Sequence, residues 1–127
     1  MLKVNNESKI ILDKLWELAI QNKRYFKLNN DSTYIPLTIE IIEKTVISLC
    51  HYGELNSDLM RDPEMLFWKD INADYYPFYY RNDYACFEQF VGQVLNNELN
   101  VYNEKQQVGQ TDFANTWMLN INYQQFK

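Results

Sequence analysis

The fold class predicted by this sequence is α+β, an antiparallel meander sheet of about five strands with an N-terminal and a C-terminal helix packed on it. Three observations carry that expectation. Apolar residues recur at intervals of three and four near both ends of the chain. Between them the apolar period drops to two. Turn-forming residues then punctuate this middle stretch at hairpin spacing. A length of 127 residues suits a single domain, 1–127, with one core.

The first helix is expected to start at Asn5 or Asn6, either of which can cap it, with Glu7 in the first turn. Ile11, Leu12, Leu15, Leu18 and Ala19 share a face that Trp16 and Ile20 widen, and Lys23 and Arg24 complement the C-terminal end. Tyr25–Leu28 is a short apolar run closed by the turn signal Asn29-Asn30-Asp31. Ile35, Leu37, Ile39 and Ile41 alternate with Pro36, Thr38, Glu40 and Ile42, and the proline suits a strand start or a sheet edge.

Thr45–Tyr52 reads as the next strand, with Ile47, Leu49 and His51 on one face and Val46, Ser48, Cys50 and Tyr52 on the other. Gly53–Pro63 reads as a polar connection, with Leu59 and Met60 tucked beneath it. Glu64–Lys69, Tyr75–Arg81 and Tyr84–Val91 complete the strands, with Tyr76, Phe78 and Tyr80 opposite Pro77, Tyr79 and Arg81. From 92 to 110 the glycines and asparagines favour irregular backbone, although Val94–Tyr102 could add a strand. The closing helix is expected from an N-cap at Thr111, with Phe113, Ala114, Trp117, Met118 and Ile121 as its apolar stripe.

A net charge of −5, with both signs interspersed, does not favour nucleic acid, whose binders usually carry a basic face. The aromatic share of 16% is high and compatible with a partner surface. No apolar run approaches the roughly 20 residues of a membrane span, so a cytoplasmic protein is expected, with Cys50 and Cys86 both reduced.

The stretch His51–Glu64 holds the only histidine and four carboxylates, Glu54, Asp58, Asp62 and Glu64. Carboxylates beside one imidazole suit a divalent cation or general acid–base work. Turn and register chemistry explains the same residues more simply, since Asn56, Ser57 and Asp58 form turns and Asp62-Pro63 enforces extension. Cys50 and His51 point to opposite sheet faces, which disfavours a dyad between them. The aromatic block from Tyr75 to Phe87 could stack bases, with Arg81 and Lys69 as phosphate partners, or simply pack the sheet. There is no Gly-rich phosphate loop, nucleophile elbow or zinc-type spacing, so no cofactor, metal or catalytic residue is assigned.

Ser48–Lys69, with its Asp58-Leu59-Met60 and Asp62-Pro63-Glu64-Met65, resembles a small bacterial domain family of unknown function found on plasmids and conjugative transposons. Members are sometimes fused to antirestriction-type or single-strand-binding domains. Tyr76-Pro77, Arg81-Asn82-Asp83-Tyr84 and Phe113-Ala114-Asn115-Thr116-Trp117 are similar to it as well. Ser57 stands where that family has glycine, which implies a backbone at Ser57 without strongly positive φ. The resemblance implies a mobile-element setting and supplies no catalytic residues.

The biochemical function is unknown from sequence. The leading expectation is a non-enzymatic binding or accessory protein acting through a protein partner, with His51, Glu54, Asp58, Asp62, Glu64, Tyr79 and Arg81 as candidate binding residues. A metal-dependent enzyme built on the His51–Glu64 carboxylates and a single-stranded nucleic-acid binder using the aromatic sheet face are the alternatives.

Overall fold

The computed structural model describes residues 1–126. Helix α1 (Asn6–Gln21) is followed by strands β1 (Tyr25–Leu28), β2 (Leu37–Glu43), β3 (Val46–Leu55), β4 (Asp58–Lys69), β5 (Tyr75–Asn82) and β6 (Phe87–Phe90). A two-stranded hairpin, β7 (Gly92–Leu95) and β8 (Glu98–Val101), then leads into helix α2 (Glu104–Gln125). β1 to β6 form one antiparallel sheet in chain order, so every strand pairs only with its neighbours in sequence.

Both helices lie on the inner face of this sheet. Ile11, Leu12, Leu15 and Ala19 of α1 and Ala114, Trp117, Met118 and Ile121 of α2 bury against Leu37, Ile39, Ile47, Leu49, Met65 and Phe67. Each of the larger aliphatic and aromatic side chains among these contributes about 1.5–3 kcal/mol of transfer energy, which makes this layer the main source of stability. The outer face carries a smaller cluster in which Val91 and Leu99 cover Val46, Trp68, Phe78 and Tyr79. The β7–β8 hairpin therefore shields the β4–β5 side of that face and the Val46 end of β3.

Several expectations are corrected. Asn5 caps α1 by accepting the Ser8 amide at 2.9 Å, but Lys23 and Arg24 lie beyond the helix in left-handed conformations, φ 60° and 71°. Ile20 and Ile35 point to solvent, while Trp16 does reach a second neighbour, its ring 6.4 Å from that of Tyr75. Gly53–Pro63 is not a connection. β3 continues to Leu55 and β4 begins at Asp58, joined by Asn56 and Ser57 at φ 52° and 70°. Two left-handed central residues match the right-handed twist of a tight hairpin, so the family-based reading of Ser57 as an ordinary backbone position is wrong. Leu59 is 72% exposed and does not tuck under a loop.

Tyr84 belongs to a turn, closed by the Cys86 amide on the Asp83 carbonyl, and β6 starts only at Phe87. In β5 the register shifts between Leu66/Phe67 and their partners, which breaks the strict alternation and buries adjacent Phe78 and Tyr79 in one cluster. α2 starts at Glu104 with Asn103 as its cap, eight residues before the expected cap Thr111. Its early turns bury polar residues, which hides the helical period: Gln107 and Thr111 grip the main chain of Leu2 rather than an apolar surface.

Candidate binding surface

β3 and β4 pair from Val46↔Trp68 out to Leu55↔Asp58. β2 ends opposite His51, and β5 ends opposite Glu64. Tyr52–Leu55 and Asp58–Arg61 therefore project past both neighbours as a two-stranded arm. Strand edges without a partner expose main-chain donors and acceptors. The turn after β5 braces the base of the arm on one side. The Asp83 amide donates to the Arg61 carbonyl at 2.8 Å, the Arg61 amide donates to Asp83 Oδ2 at 2.8 Å, and the Tyr84 hydroxyl donates to the Glu54 carbonyl at 3.3 Å. Gly53 makes this brace possible, because a Cβ there would collide with the Tyr84 hydroxyl.

On the other side no strand pairs with Tyr52–Leu55 among the described residues, β2 pairing with β3 only as far as Leu37↔His51. The outer face of β1–β3 beyond Val46 is left bare by the hairpin and forms a cleft of about 450 Å³ against the arm, lined by Tyr25, Lys27, Pro36, Thr38, Glu40, Tyr52 and Leu59. Tyr25, Tyr52 and Leu59 are exposed. Glu40, Glu54 and Asp58 are exposed as well and outnumber Lys27 and Arg61, so the arm and cleft together are acidic and apolar.

The candidate residues divide into separate places. His51 sits on the inner face with its Nδ1 at 3.2 Å from the Pro36 carbonyl and its ring edge-on to Trp117. Burial pushes its pKa down, which keeps the ring neutral. Asp62 accepts from Asn82 Nδ2 at 2.8 Å. Glu64 is on the outer face, near Ser48 Oγ at 3.4 Å and Arg61 Nε at 3.5 Å, and burial raises its pKa against the pull of Arg61. Glu54 and Asp58 stand out on the arm, away from both.

Glu64, Tyr79 and Arg81 are joined in one outer-face network by three residues not foreseen, Arg61, Asp83 and Glu88. Arg81 Nε donates to Asp83 Oδ1 at 2.7 Å, and the buried Tyr79 hydroxyl donates to Glu88 Oε2 at 2.5 Å. Arg61–Glu64 at three residues' spacing and Arg81 two before Asp83 are the sequence signals that point to this network. Its cations already have carboxylate partners, so its charge is compensated from within. Cys50, beneath it, is pushed up to about 12 by burial and the nearby Glu64, and holds no thiolate for nucleophilic chemistry. Among the described residues no three His, Cys, Asp or Glu side chains gather as a metal site requires.

These features define a class: a helix-backed antiparallel meander whose outer face is half covered and whose longest hairpin projects from the sheet. Residues 7–127 match the family described as a domain of unknown function (DUF6908), and the chain belongs to that family. No curated protein and no solved structure matches it. No helix among the described residues is long and apolar enough to cross a membrane.

Proposed function

We propose that the domain is a non-enzymatic binding module that captures an extended protein segment along the β3 edge of the arm. The observation that carries this reading is the arm itself, Tyr52–Leu55 paired with Asp58–Arg61 and flanked by no third strand. An extended segment would add a strand through main-chain hydrogen bonds, the usual mode at a free sheet edge. Its side chains would reach the cleft, where Tyr25, Tyr52 and Leu59 suit an apolar residue and Glu40 a basic one, and would pass the exposed Glu54 and Asp58 of the arm. An accessory role on a mobile element is part of this reading and rests on the family resemblance alone.

The test is selection from a displayed library of linear peptides, followed by hydrogen exchange on the complex. Enriched sequences should combine apolar and basic residues, protect amides of Tyr52–Leu55, and lose binding on Leu59→Glu. Peptides that protect only other strands, or a library that yields no binder, would overturn the proposal.

A further inference from the structure

Residues 2–4 run between α2 and β5 as a strap rooted at Asn5, the cap of α1. Its main chain holds it there. The Leu2 amide donates to Gln107 Oε1 at 2.7 Å, and the Leu2 carbonyl accepts from Gln107 Nε2 at 2.9 Å and Thr111 Oγ at 2.8 Å. β6 pairs with β5 only from Tyr79 to Asn82. Before that point the Tyr75 carbonyl accepts the Val4 amide at 2.9 Å, and the Pro77 carbonyl accepts Gln107 Nε2 at 3.2 Å.

The first part of α2, Glu104–Thr111, rests on this strap and not on the core. Its one apolar side chain, Val108, is 39% exposed, and no apolar residue of α2 is buried before Ala114. What it buries is Gln107, Gln110 and Thr111. Gln110 is tethered to Gln89 of β6, but Gln107 and Thr111 both bond to Leu2. Without the strap Gln107 would be a buried amide short of partners, a state that favours exposure.

Two features of the sequence favour a break at the end of this part. Gly109 stands inside the helix, where glycine is the least favoured residue after proline, and a Cβ added there meets nothing within 4 Å. Thr111-Asp112 follows it, the cap and first-turn acid with which a helix commonly starts. We infer that α2 has two lengths set by the strap: Glu104–Gln125 with Leu2–Val4 docked, and Asp112–Gln125 capped by Thr111 with the strap released. The Thr111 hydroxyl changes role between them. It donates to the Leu2 carbonyl in the long form and accepts the Ala114 amide in the short one. Release also frees the Tyr75 and Pro77 carbonyls on the edge of β5. A partner that takes hold of Leu2–Val4 therefore shortens the helix, and by linkage one that favours the short helix frees the strap. The device is separate from the arm, so either reading can fail without the other.

The experiment is native-state hydrogen exchange on the full chain, followed by NMR over low denaturant concentrations. The amides of Val4 and of Val108–Thr111 should open together, faster than those of Trp117–Ile121 and with a weaker dependence on denaturant, as expected of a small cooperative unit. Gly109→Ala touches no strap residue, yet it should slow exchange at Val4 and at Val108–Thr111 alike by about fivefold, the scale of glycine against alanine in a helix. Gln107→Ala places a better helix former in the first turns. It should nevertheless abolish the helical carbon shifts of residues 104–110 and keep those of residues 112–125. The inference is overturned if Gln107→Ala leaves the first turns helical or unfolds the whole chain. It is equally overturned if Val4 exchange is unchanged in Gly109→Ala, or if Val4 and Val108–Thr111 open only with the core.

Discussion

Asp83 and Arg61 hold each other twice, the amide of each reaching an oxygen of the other at 2.8 Å. This reciprocal pair fixes the turn after β5 to the base of the arm. Asp83→Ala removes one bond, and hydrogen exchange at the Arg61 amide is expected to accelerate while core strands keep their protection. The Arg61 amide and the Arg81 guanidinium hold the Asp83 carboxyl below its ordinary 3.8. A carboxyl depressed in the folded state stabilises it above 3.8, and that contribution is lost as pH falls through the lower folded value. The same amide should therefore lose protection in acid in the unmutated protein.

Ser57 adopts φ 70° at the tip of the arm, where a side chain costs about 1 kcal/mol that glycine avoids. Ser57→Gly is expected to raise stability by up to about 1 kcal/mol, read as a shift in denaturant midpoint at constant m. A lower midpoint would show that the tip does not hold this conformation in solution.

The two thiols should differ sharply in reactivity. Cys50 is buried with its pKa pushed up to about 12, whereas Cys86 is exposed. Iodoacetamide at mildly alkaline pH should label Cys86 alone in the native protein and both residues in denaturant, as counted by intact mass. Native labelling of Cys50 would mean that the β3–β4 region opens far more readily than its packing implies.

His51 gives stability a pH slope of the opposite chemical origin to that of Asp83. Its folded pKa lies below the ordinary 6.5 because the ring is buried. The unfolded chain then binds the proton first, so stability is full above 6.5 and declines as pH falls below it, levelling off under the folded value. His51→Gln should flatten the melting-temperature profile over that interval. A profile indistinguishable from the parent protein would indicate that His51 is not the group responsible.

The helix–sheet–helix order and the inner-face residues of β2 and β3 were legible because Leu37, Ile39, Ile47 and Leu49 keep the plain alternation of a sheet with one buried face. The arm was not, since a ribbon solvated on both sides has no apolar period and its polar residues resemble a loop. The start of α2 was hidden for the reverse reason: Gln107, Gln110 and Thr111 are buried through hydrogen bonds that hydropathy does not register. Of the candidate site, Glu64, Tyr79 and Arg81 do meet on the outer face, and Glu54 and Asp58 do lie on the projecting hairpin. His51 parts from them because one step along a strand crosses the sheet. The β5 irregularity near Phe78 was invisible to pattern reading, which assumes an unbroken pleat.

The neighbour-only pairing of β1 to β6 has a consequence for biosynthesis. Each strand can join the growing meander as it leaves the ribosome, because its partner has just been made, and such local topologies form quickly. The lid over the inner face comes last. Until α2 is synthesised, Met65, Phe67 and their neighbours are roofed only by α1, and the nascent chain carries a sticky, half-sheltered sheet. Leu2 and Gln107, 105 residues apart, hold each other through two hydrogen bonds, a contact that cannot form before α2 has been made.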